Sequence, residues 1–139
     1  MSAPDDLNAL GAHGLPGHLG LVILEAAPGR VRAELAVQPH HMAPNGYLHA
    51  GAIVTLADTC CGYGATTSRP EGATGFTTIE LKSNHLGTAR EGVVDCTATM
   101  AHGGRTTQVW DAVVTHRDTG RTMALFRCTQ LLLYPRPAA

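Results

Sequence analysis

The sequence is poor in the residues that mark several large classes of protein. Aromatic residues make up 4% of the 139-residue chain, and the formal net charge is -1. Lys and Arg form no run, so the chain lacks the basic surface with which proteins hold nucleic acid or anionic membranes. Gly or polar residues interrupt every apolar segment before it reaches the length of a transmembrane helix. We therefore expect neither nucleic-acid binding nor membrane insertion.

Cysteine is also scarce, with four residues in the chain: Cys60, Cys61, Cys96 and Cys128. The first two are adjacent and the others lie in apolar, strand-like runs, which is not the spacing of a disulfide framework. This pattern indicates reduced, buried thiols and a cytoplasmic location. The first six residues include two acids and no basic residue, so we expect no secretory signal.

One long helical stretch stands out among shorter segments. The turn formers Pro44, Asn45 and Gly46 precede it, and from about His49 to Thr67 it is mostly small and apolar and contains no proline. Such a composition predicts a helix that is buried on several sides. Alternation or apolar runs between turn residues predict six strands, at about Leu19–Ala26, Arg30–Val37, Thr74–Asn84, Gly92–His102, Thr106–His116 and Met123–Tyr134.

The order of these elements predicts an α+β fold. A short helix at Asp6–Ala12, capped by Asp5 or Asp6, is followed by two strands, the long helix and four strands. The first two strands form a hairpin, and the short turns between the last four predict an antiparallel meander. We expect one domain over residues 1–139, with an N-terminal extension over about 1–17, a loop over 38–46 and a flexible tail over 135–139.

The long helix carries a single carboxylate, Asp58, at its middle. A charge there is costly unless it is paired, hydrated or used. Helical spacing places it on a stripe of small and polar residues, with apolar residues on the side that should face the sheet. The stripe comprises Gly51, Thr55, Asp58 and Gly62, and the apolar side comprises Ile53, Leu56, Ala57 and Cys60. Asp58 is thus either a catalytic candidate or an ordinary polar residue, on an exposed helix face or at a dimer contact.

The start of the same helix is the second candidate site. Unpaired N–H groups near Ala50, together with the helix dipole, suit a developing oxyanion. Eight residues separate Ala50 from Asp58, which is roughly 12 Å along a helix. One reacting centre must lie within hydrogen-bond distance of both groups. If both act together, they come from two subunits with antiparallel helices, and the active site lies at a dimer interface.

Two motifs, one leading into this helix and one inside it, resemble those of a known family. Asn45-Gly46-Tyr47-Leu48-His49-Ala50-Gly51 followed by Leu56-Ala57-Asp58 resembles the His-Gly-Gly…Leu-Ala-Asp/Glu signature of hotdog-fold thioesterases of the phenylacetate-degradation (PaaI-like) type. The segments at 78–87 and 104–110 fit as well, and the similarity extends from about Leu19 to Tyr134. The resemblance implies a hotdog fold, in which a curved antiparallel sheet wraps the long central helix. It also implies hydrolysis of acyl-coenzyme A (acyl-CoA) thioesters by a homo-oligomer, often a dimer of dimers.

The resemblance assigns roles by position. Asp58 would be the catalytic carboxylate, acting as general base on water or as nucleophile. The Ala50 N–H would polarise the thioester carbonyl, and His49 would shape the helix start.

Three positions depart from the family pattern. Ala50 replaces the middle glycine of the signature, which leaves the N–H donor but narrows the pocket. Many relatives have Gln or Asn fifteen positions before the carboxylate, where this chain has Ala43, and Asn45 is the candidate substitute. Some relatives carry Ser or Thr one turn after the carboxylate, where this chain has Gly62.

CoA carries phosphates, so a chain of this net charge needs local basic groups to hold it. Arg90 and Arg105 are the best candidates, with solvated turn residues as the alternative reading of both. The remaining predicted CoA contacts are Leu86, Gly87 and Thr106, and the predicted acyl contacts are Gly51, Thr59, Gly62 and Asn84. We expect no cofactor apart from CoA as part of the substrate. We also expect no metal site, because the histidines lack ligand spacing and no Cys-x-x-Cys is present.

Two alternatives remain open at this point. The alanines at 43 and 50 allow a non-catalytic hotdog protein that binds or senses acyl-CoA. A hotdog hydratase or dehydratase is the other, although we do not find its motif in the sequence.

Overall fold

The computed structural model describes residues 3–138. It has three α-helices, a short 3-10 helix and six strands within that range. The helices are α1 (Ala3–Gly11), α2 (Leu15–Leu19) and α3 (Ala50–Thr67), and the 3-10 helix is Pro39–His41. The strands are β1 (Val22–Ala27), β2 (Arg30–Ala36), β3 (Gly75–His85), β4 (Val93–Gly103), β5 (Thr107–His116) and β6 (Thr122–Leu133). None of the helices in the described part of the chain has the length and hydropathy that a membrane crossing requires.

All six strands form one antiparallel sheet in the order β1-β2-β4-β5-β6-β3. The α+β class, the long helix and the β1–β2 hairpin are confirmed. The predicted meander of the last four strands is wrong for one of them: β3 pairs with β6 rather than with β4. Its register runs from Gly75 opposite Leu133 to His85 opposite Ala124, so β3 forms an edge of the sheet.

Helix α3 packs its apolar side on the concave face of the sheet. Ile53, Leu56, Ala57 and Cys60 are buried, as their spacing predicts. Trp110 of β5 is also fully buried and lies so close to the helix that a methyl group on Gly64 would come within 2.5 Å of the indole ring. The absence of a side chain at Gly64 therefore lets the sheet approach α3 closely, as glycine does where two elements meet.

The N-terminal region differs from its prediction. Helix α1 begins at Ala3, so the predicted cap at Asp5 or Asp6 is wrong. Both acids lie in its first turn, where their negative charge interacts favourably with the helix dipole. Leu19 ends α2 rather than beginning a strand, because Gly20 turns the chain with a φ of 79°. β1 therefore starts at Val22.

The other end of the chain and the loop before α3 complete the fold. Residues 134–138 form no helix or strand, whereas residues 1, 2 and 139, which belong to the predicted extension and tail, lie outside the described residues. The predicted loop at 38–46 contains the 3-10 helix. Within it the buried His41 ring accepts a hydrogen bond from the Gln38 N–H at Nδ1 and hydrogen-bonds the Leu19 carbonyl at Nε2. His41 is thus a structural residue that ties α2 to this loop.

The four cysteines are free and buried, as predicted. Cys60 contacts Cys96, and Cys61 contacts Cys128. These contacts, together with burial, raise the pKa of the Cys60 and Cys61 thiols well above its usual value, so neither supplies a thiolate nucleophile.

Candidate active site

The start of α3 is built by residues that are close in sequence. Gly46, with a φ of 84°, and the hydrogen bond from its N–H to the Ala43 carbonyl form the turn before the helix. His49 is the N-cap, and its Nδ1 accepts a hydrogen bond from the Gly51 N–H at 2.7 Å. A methyl group on Gly51 would lie 2.9 Å from that nitrogen, so glycine leaves room for the ring. Because Nδ1 is an acceptor, the neutral His49 ring carries its proton on Nε2.

The backbone N–H groups in the first turn of α3 differ in whether they have a hydrogen-bond acceptor. The Gly51 N–H binds His49 Nδ1, and the N–H groups of Ala52 and Ile53 both donate to the His49 carbonyl. Among the described residues the Ala50 N–H has no partner, and Ala50 is exposed. The predicted oxyanion donor is therefore presented to solvent at the positive end of the helix dipole.

Asp58 lies half-buried where α3 crosses the edge strand. Its Oδ1 accepts a hydrogen bond from Thr78 Oγ1 of β3 at 3.1 Å. Burial raises the pKa of the Asp58 carboxyl above its usual value, and the Thr78 hydrogen bond opposes that shift because it favours the charged form. A half-buried carboxylate with a raised pKa is suited to accept a proton from water.

Three other predicted residues of α3 and its leading loop lie in different surroundings. Thr59 lines a small cavity under α1 and α2, on a side of α3 away from Asp58. Gly62 is buried, and a methyl group on it would lie 2.8 Å from Cζ of Phe76. Asn45 Oδ1 accepts a hydrogen bond from the Tyr47 N–H, so this side chain stabilises the turn before the helix.

The predicted CoA contacts fall into two groups. Leu86, Gly87 and Arg90 lie in the loop between β3 and β4, which joins the helix start through a hydrogen bond from the Leu48 N–H to the Ala89 carbonyl. The Arg90 guanidinium stacks 4.3 Å from the centre of the Tyr47 ring. Gly87, Arg90, His116 and Arg121 line part of a cleft of about 260 Å³ beside this loop.

Arg105 and Thr106 form the second group, in the turn between β4 and β5. Tyr134 Oη donates a hydrogen bond to the Arg105 carbonyl, and the Leu132 N–H donates to the Thr106 carbonyl. The 11 residues of β4 separate this turn from Arg90, roughly 33 Å at the rise of a strand. Within one chain the two arginines therefore cannot contact the same phosphate.

Asn84 lies on the face of β3 that points away from α3. It pairs with the exposed Leu125, whereas its neighbour Ser83 pairs with the buried Phe126 on the helix side. The predicted acyl contacts thus divide: Gly51 lies at the helix start, whereas Thr59 and Asn84 face elsewhere.

Two residues beside Asp58 were not predicted. Thr78 lies in the segment at 78–87 that resembles the family, but nothing in the sequence pattern assigns it a role. Gln130 Oε1 lies 2.8 Å from Thr78 Oγ1, and Gln130 is fully buried. The signal for Gln130 was present in the sequence, since it occupies the same face of β6 as the buried Cys128 and Leu132.

Comparison with known proteins identifies the family. The thioesterase superfamily matches residues 45–127, more than half of the chain. A 1,4-dihydroxy-2-naphthoyl-CoA hydrolase from Listeria monocytogenes is 34% identical over 116 residues, covering 84% of this chain and 93% of the relative.

Two solved structures have the same fold. A mutant of the thioesterase PA1618 from Pseudomonas aeruginosa superposes with a TM-score of 0.89 at 28% identity, covering 95% of this chain and 94% of the other. The Escherichia coli PaaI protein from the phenylacetic acid degradation operon has a TM-score of 0.83 at 21% identity, covering 94% and 93%. The chain therefore belongs to the thioesterase superfamily, has its hotdog fold and is a hydrolase that acts on thioesters.

Proposed function

We propose that this protein hydrolyses the thioester of a small aryl- or acyl-CoA, with Asp58 as the general base. Asp58 accepts a proton from water as the water oxygen attacks the thioester carbonyl. The C–S bond then breaks, and the products are the free acid and CoA, whose sulfur takes up a proton. The observation that carries this proposal is the half-buried carboxylate with a raised pKa in the middle of α3.

The Ala50 N–H stabilises the oxyanion of the tetrahedral intermediate. It is the unpaired donor of the helix start, and a donor that is already oriented costs no reorganisation during the reaction. Replacing the family's glycine by alanine keeps this group, since the donor belongs to the backbone. His49 holds the first turn in place through its hydrogen bond to Gly51.

The complete active site needs two chains, because Asp58 and Ala50 of one chain are too far apart. The edge strand β3 offers the pairing surface: its outer backbone groups are free within the described residues, and an exposed strand edge is a template for another strand. Antiparallel pairing of two β3 strands about a two-fold axis brings the two α3 helices side by side in opposite directions. Each Asp58, bonded to β3 through Thr78, then approaches the partner's helix start.

A second feature of β3 supports the same interface. Ile79 and Leu81 of the same strand are exposed large apolar residues. Association along β3 covers this surface. Further association into a dimer of dimers, and a cytoplasmic location, remain predictions from the sequence.

CoA binds across the same interface. Arg90, Gly87 and Leu86 lie beside the helix start of one chain, whereas Arg105 and Thr106 lead into β5, whose Gln108 donates a hydrogen bond to the Ser68 carbonyl at the helix end. Antiparallel helices bring the start of one close to the end of the other, so the two groups meet only between subunits. Arginine binds phosphate through paired N–H groups, which suits the phosphates of CoA.

The acyl group lies along the α3 stripe between Gly51 and Asp58. The small residues of this stripe leave space for a flat acyl chain, and the naphthoyl-CoA hydrolase from Listeria supports an aromatic substrate. Of the predicted acyl contacts, Gly51 belongs to this path. Thr59, Gly62 and Asn84 lie outside this path. The reaction requires no cofactor apart from the CoA of the substrate.

The test is hydrolysis of a panel of aryl, short-chain and long-chain acyl-CoA thioesters, measured by the release of the CoA thiol. We expect turnover of at least one aryl or short-chain thioester and a loss of several orders of magnitude in kcat for Asp58→Asn. Asp111→Asn, on the outer face of the sheet, is the matched control and should retain activity. Thermal stabilisation by acyl-CoA without thiol release would instead indicate a binding protein. Full activity of Asp58→Asn would overturn the role of the carboxylate.

A further inference from the structure

The hydrogen bonds around Thr78 connect Asp58 to the buried interior of the sheet. Thr78 Oγ1 lies 3.1 Å from Asp58 Oδ1 and 2.8 Å from the atom placed as Gln130 Oε1. The other amide atom of Gln130, placed as Nε2, lies 3.3 Å from Cys128 Sγ. Cys128 in turn contacts Cys61, three residues after Asp58 on α3. The chain of contacts thus begins and ends on the same helix.

The number of hydrogen atoms restricts how the hydrogen bonds of Asp58, Thr78 and Gln130 are arranged. A threonine hydroxyl carries one hydrogen, and both an ionised carboxylate and an amide oxygen only accept. Thr78 therefore cannot donate to ionised Asp58 and to Gln130 Oε1 at the same time. The nitrogen and oxygen of a glutamine side chain exchange places by a half-turn, and the hydrogen-bond network decides between the two orientations.

One orientation satisfies both Thr78 and Asp58 when Asp58 is ionised. Gln130 Nε2 donates to Thr78 Oγ1, and Thr78 donates its hydrogen to Asp58. Gln130 Oε1 then faces Cys128, whose S–H donates to it, and the S–H of Cys61 donates to Cys128. In the opposite orientation, Thr78 donates its hydrogen to Gln130 Oε1, so its oxygen can only accept a hydrogen bond from Asp58. Asp58 donates that hydrogen bond only when its carboxyl is protonated. The direction of the Thr78 hydroxyl is thus coupled to the charge of Asp58.

The burial of Gln130 indicates that this arrangement has a function. Gln130 is fully buried, and a buried amide is costly unless its donors and acceptor are bonded. A nonpolar residue would fill the same position in the core without that requirement. Gln130 lies on the same inner face of β6 as Cys128 and Phe126. Its polar end meets Thr78 at the point where that hydroxyl contacts the carboxylate.

We infer that Thr78 and Gln130 are positioning residues for Asp58, with Gln130 directing the Thr78 hydroxyl at the carboxylate so that Asp58 is held ionised and oriented toward water. This inference rests on the proposed function of Asp58 and extends it to two residues on β3 and β6. Gly62, one turn after Asp58, has no side chain, and Phe76 fills the space that a hydroxyl-bearing side chain there would need. The donor therefore comes from the strand instead of the helix.

The surroundings of Asp58 contain few charges that could produce the same effect. On its own helix, the Cys61 thiol interacts with the Asp58 charge, and its pKa is raised well above the usual value, so it stays neutral. On the strands packed beside it, Thr78 and Gln130 are uncharged groups, and Cys128 contacts Cys61. Burial and the Thr78 hydrogen bond are the causes that shift the Asp58 pKa.

The first experiment measures the pH profile of kcat/KM for Thr78→Val, which removes the hydroxyl and keeps the shape. The hydrogen bond favours charged Asp58, so its loss raises the pKa of this carboxyl and moves the acidic limb of the profile to higher pH, by about one unit. We expect kcat to fall about tenfold and KM to change little. Thr78→Ser keeps the hydroxyl and should restore both. The matched control is Thr97→Val, a half-buried threonine on the outer face of β4, which should change neither.

The second experiment does not depend on activity. Carbon-13 NMR of protein labelled at the aspartate carboxyl carbons follows the titration of Asp58, which is identified by its absence in Asp58→Asn. The Asp58 titration should move to higher pH in Thr78→Val, and by a smaller amount in Gln130→Met, a variant of similar volume. Circular dichroism and thermal unfolding establish that each variant is folded.

The outcomes separate this inference from the proposed function. An unchanged Asp58 titration and an unchanged acidic limb in folded Thr78→Val would overturn the positioning role, even if Asp58→Asn is inactive. A shifted titration in a protein that hydrolyses no thioester would support the hydrogen-bond arrangement and overturn the proposed function. A loss of kcat in Thr78→Val that Thr78→Ser does not restore would indicate altered packing and would also overturn the inference.

Discussion

The two halves of the active site lie on one helix but are built in different ways. The helix start is exposed, and its key hydrogen bond joins His49 and Gly51, two residues apart. The surroundings of Asp58 are half-buried and draw Thr78 from 20 residues away and Gln130 from 52 residues beyond Thr78. The first half is therefore a local structure, whereas the second exists only once the sheet has formed around α3.

This difference predicts different responses to mutation. A change at the helix start should remove a donor or a cap and leave the rest of the fold unaffected. A change beside Asp58 should alter both the charge of the carboxylate and the packing of the sheet against α3. The following variants test that contrast, from the largest expected effect to the smallest.

Ala50→Pro removes the proposed oxyanion donor without disturbing the helix. Ala50 is the first residue of α3, where proline is favoured, and His49 has the extended backbone (φ -65°, ψ 134°) that a residue before proline adopts. We expect kcat to fall about a hundredfold to a thousandfold, the usual effect of losing one such donor. Ala50→Gly keeps the N–H and should retain activity. Equal rates for Ala50→Pro and wild type would show that this N–H is not used.

His49→Ala should have a moderate effect, chiefly on stability. It removes the acceptor for the Gly51 N–H and should lower the free energy of unfolding by about 1 kcal/mol, as the loss of a helix cap does. His49→Asn offers another capping acceptor and should recover most of that stability in thermal or urea unfolding. A loss of kcat in His49→Asn as large as that in Ala50→Pro would contradict a structural role and make His49 part of the chemistry.

Asp58→Asn should have a small stabilising effect that depends on pH. Because burial raises the pKa of Asp58 in the folded state, the folded protein binds more protons than the unfolded chain between the two pKa values, and its stability falls as the pH rises through that range. The variant should therefore unfold at a higher temperature than wild type at neutral pH, and the difference should disappear in acid.

Asp111 provides the opposite case for this measurement. The Arg127 guanidinium lowers the pKa of its carboxyl, so Asp111→Asn should lose a little stability at neutral pH and none in strong acid. If both variants changed stability at neutral pH in the same direction, the proposed opposite effects of burial at Asp58 and of ion pairing at Asp111 would be contradicted.

The same contrast explains what could be predicted from sequence. Helix α3 and the strands follow from side-chain periodicity and turn residues, which are local. The position of β3 in the sheet does not follow from local sequence, because its pairing with β6 joins segments that are distant in the chain. The short connection from β3 to β4 looks the same in the sequence whether or not these two strands pair. Likewise, the cap and the free N–H of the helix start follow from the residues around His49. The bond between Asp58 and Thr78 depends on the position of β3, so it could not be predicted.

Mixing two inactive variants tests most directly whether each active site combines Asp58 of one chain with the helix start of another. In a hybrid dimer of Asp58→Asn and Ala50→Pro, one site pairs the intact Asp58 with an intact Ala50 N–H, and the other site carries both changes. After unfolding and refolding together in equal amounts, about half of the dimers are hybrids with one working site of two, so roughly a quarter of wild-type activity should return. If mixing restores no activity while hybrid dimers form, each site is contained in a single chain, and the interfacial account is wrong.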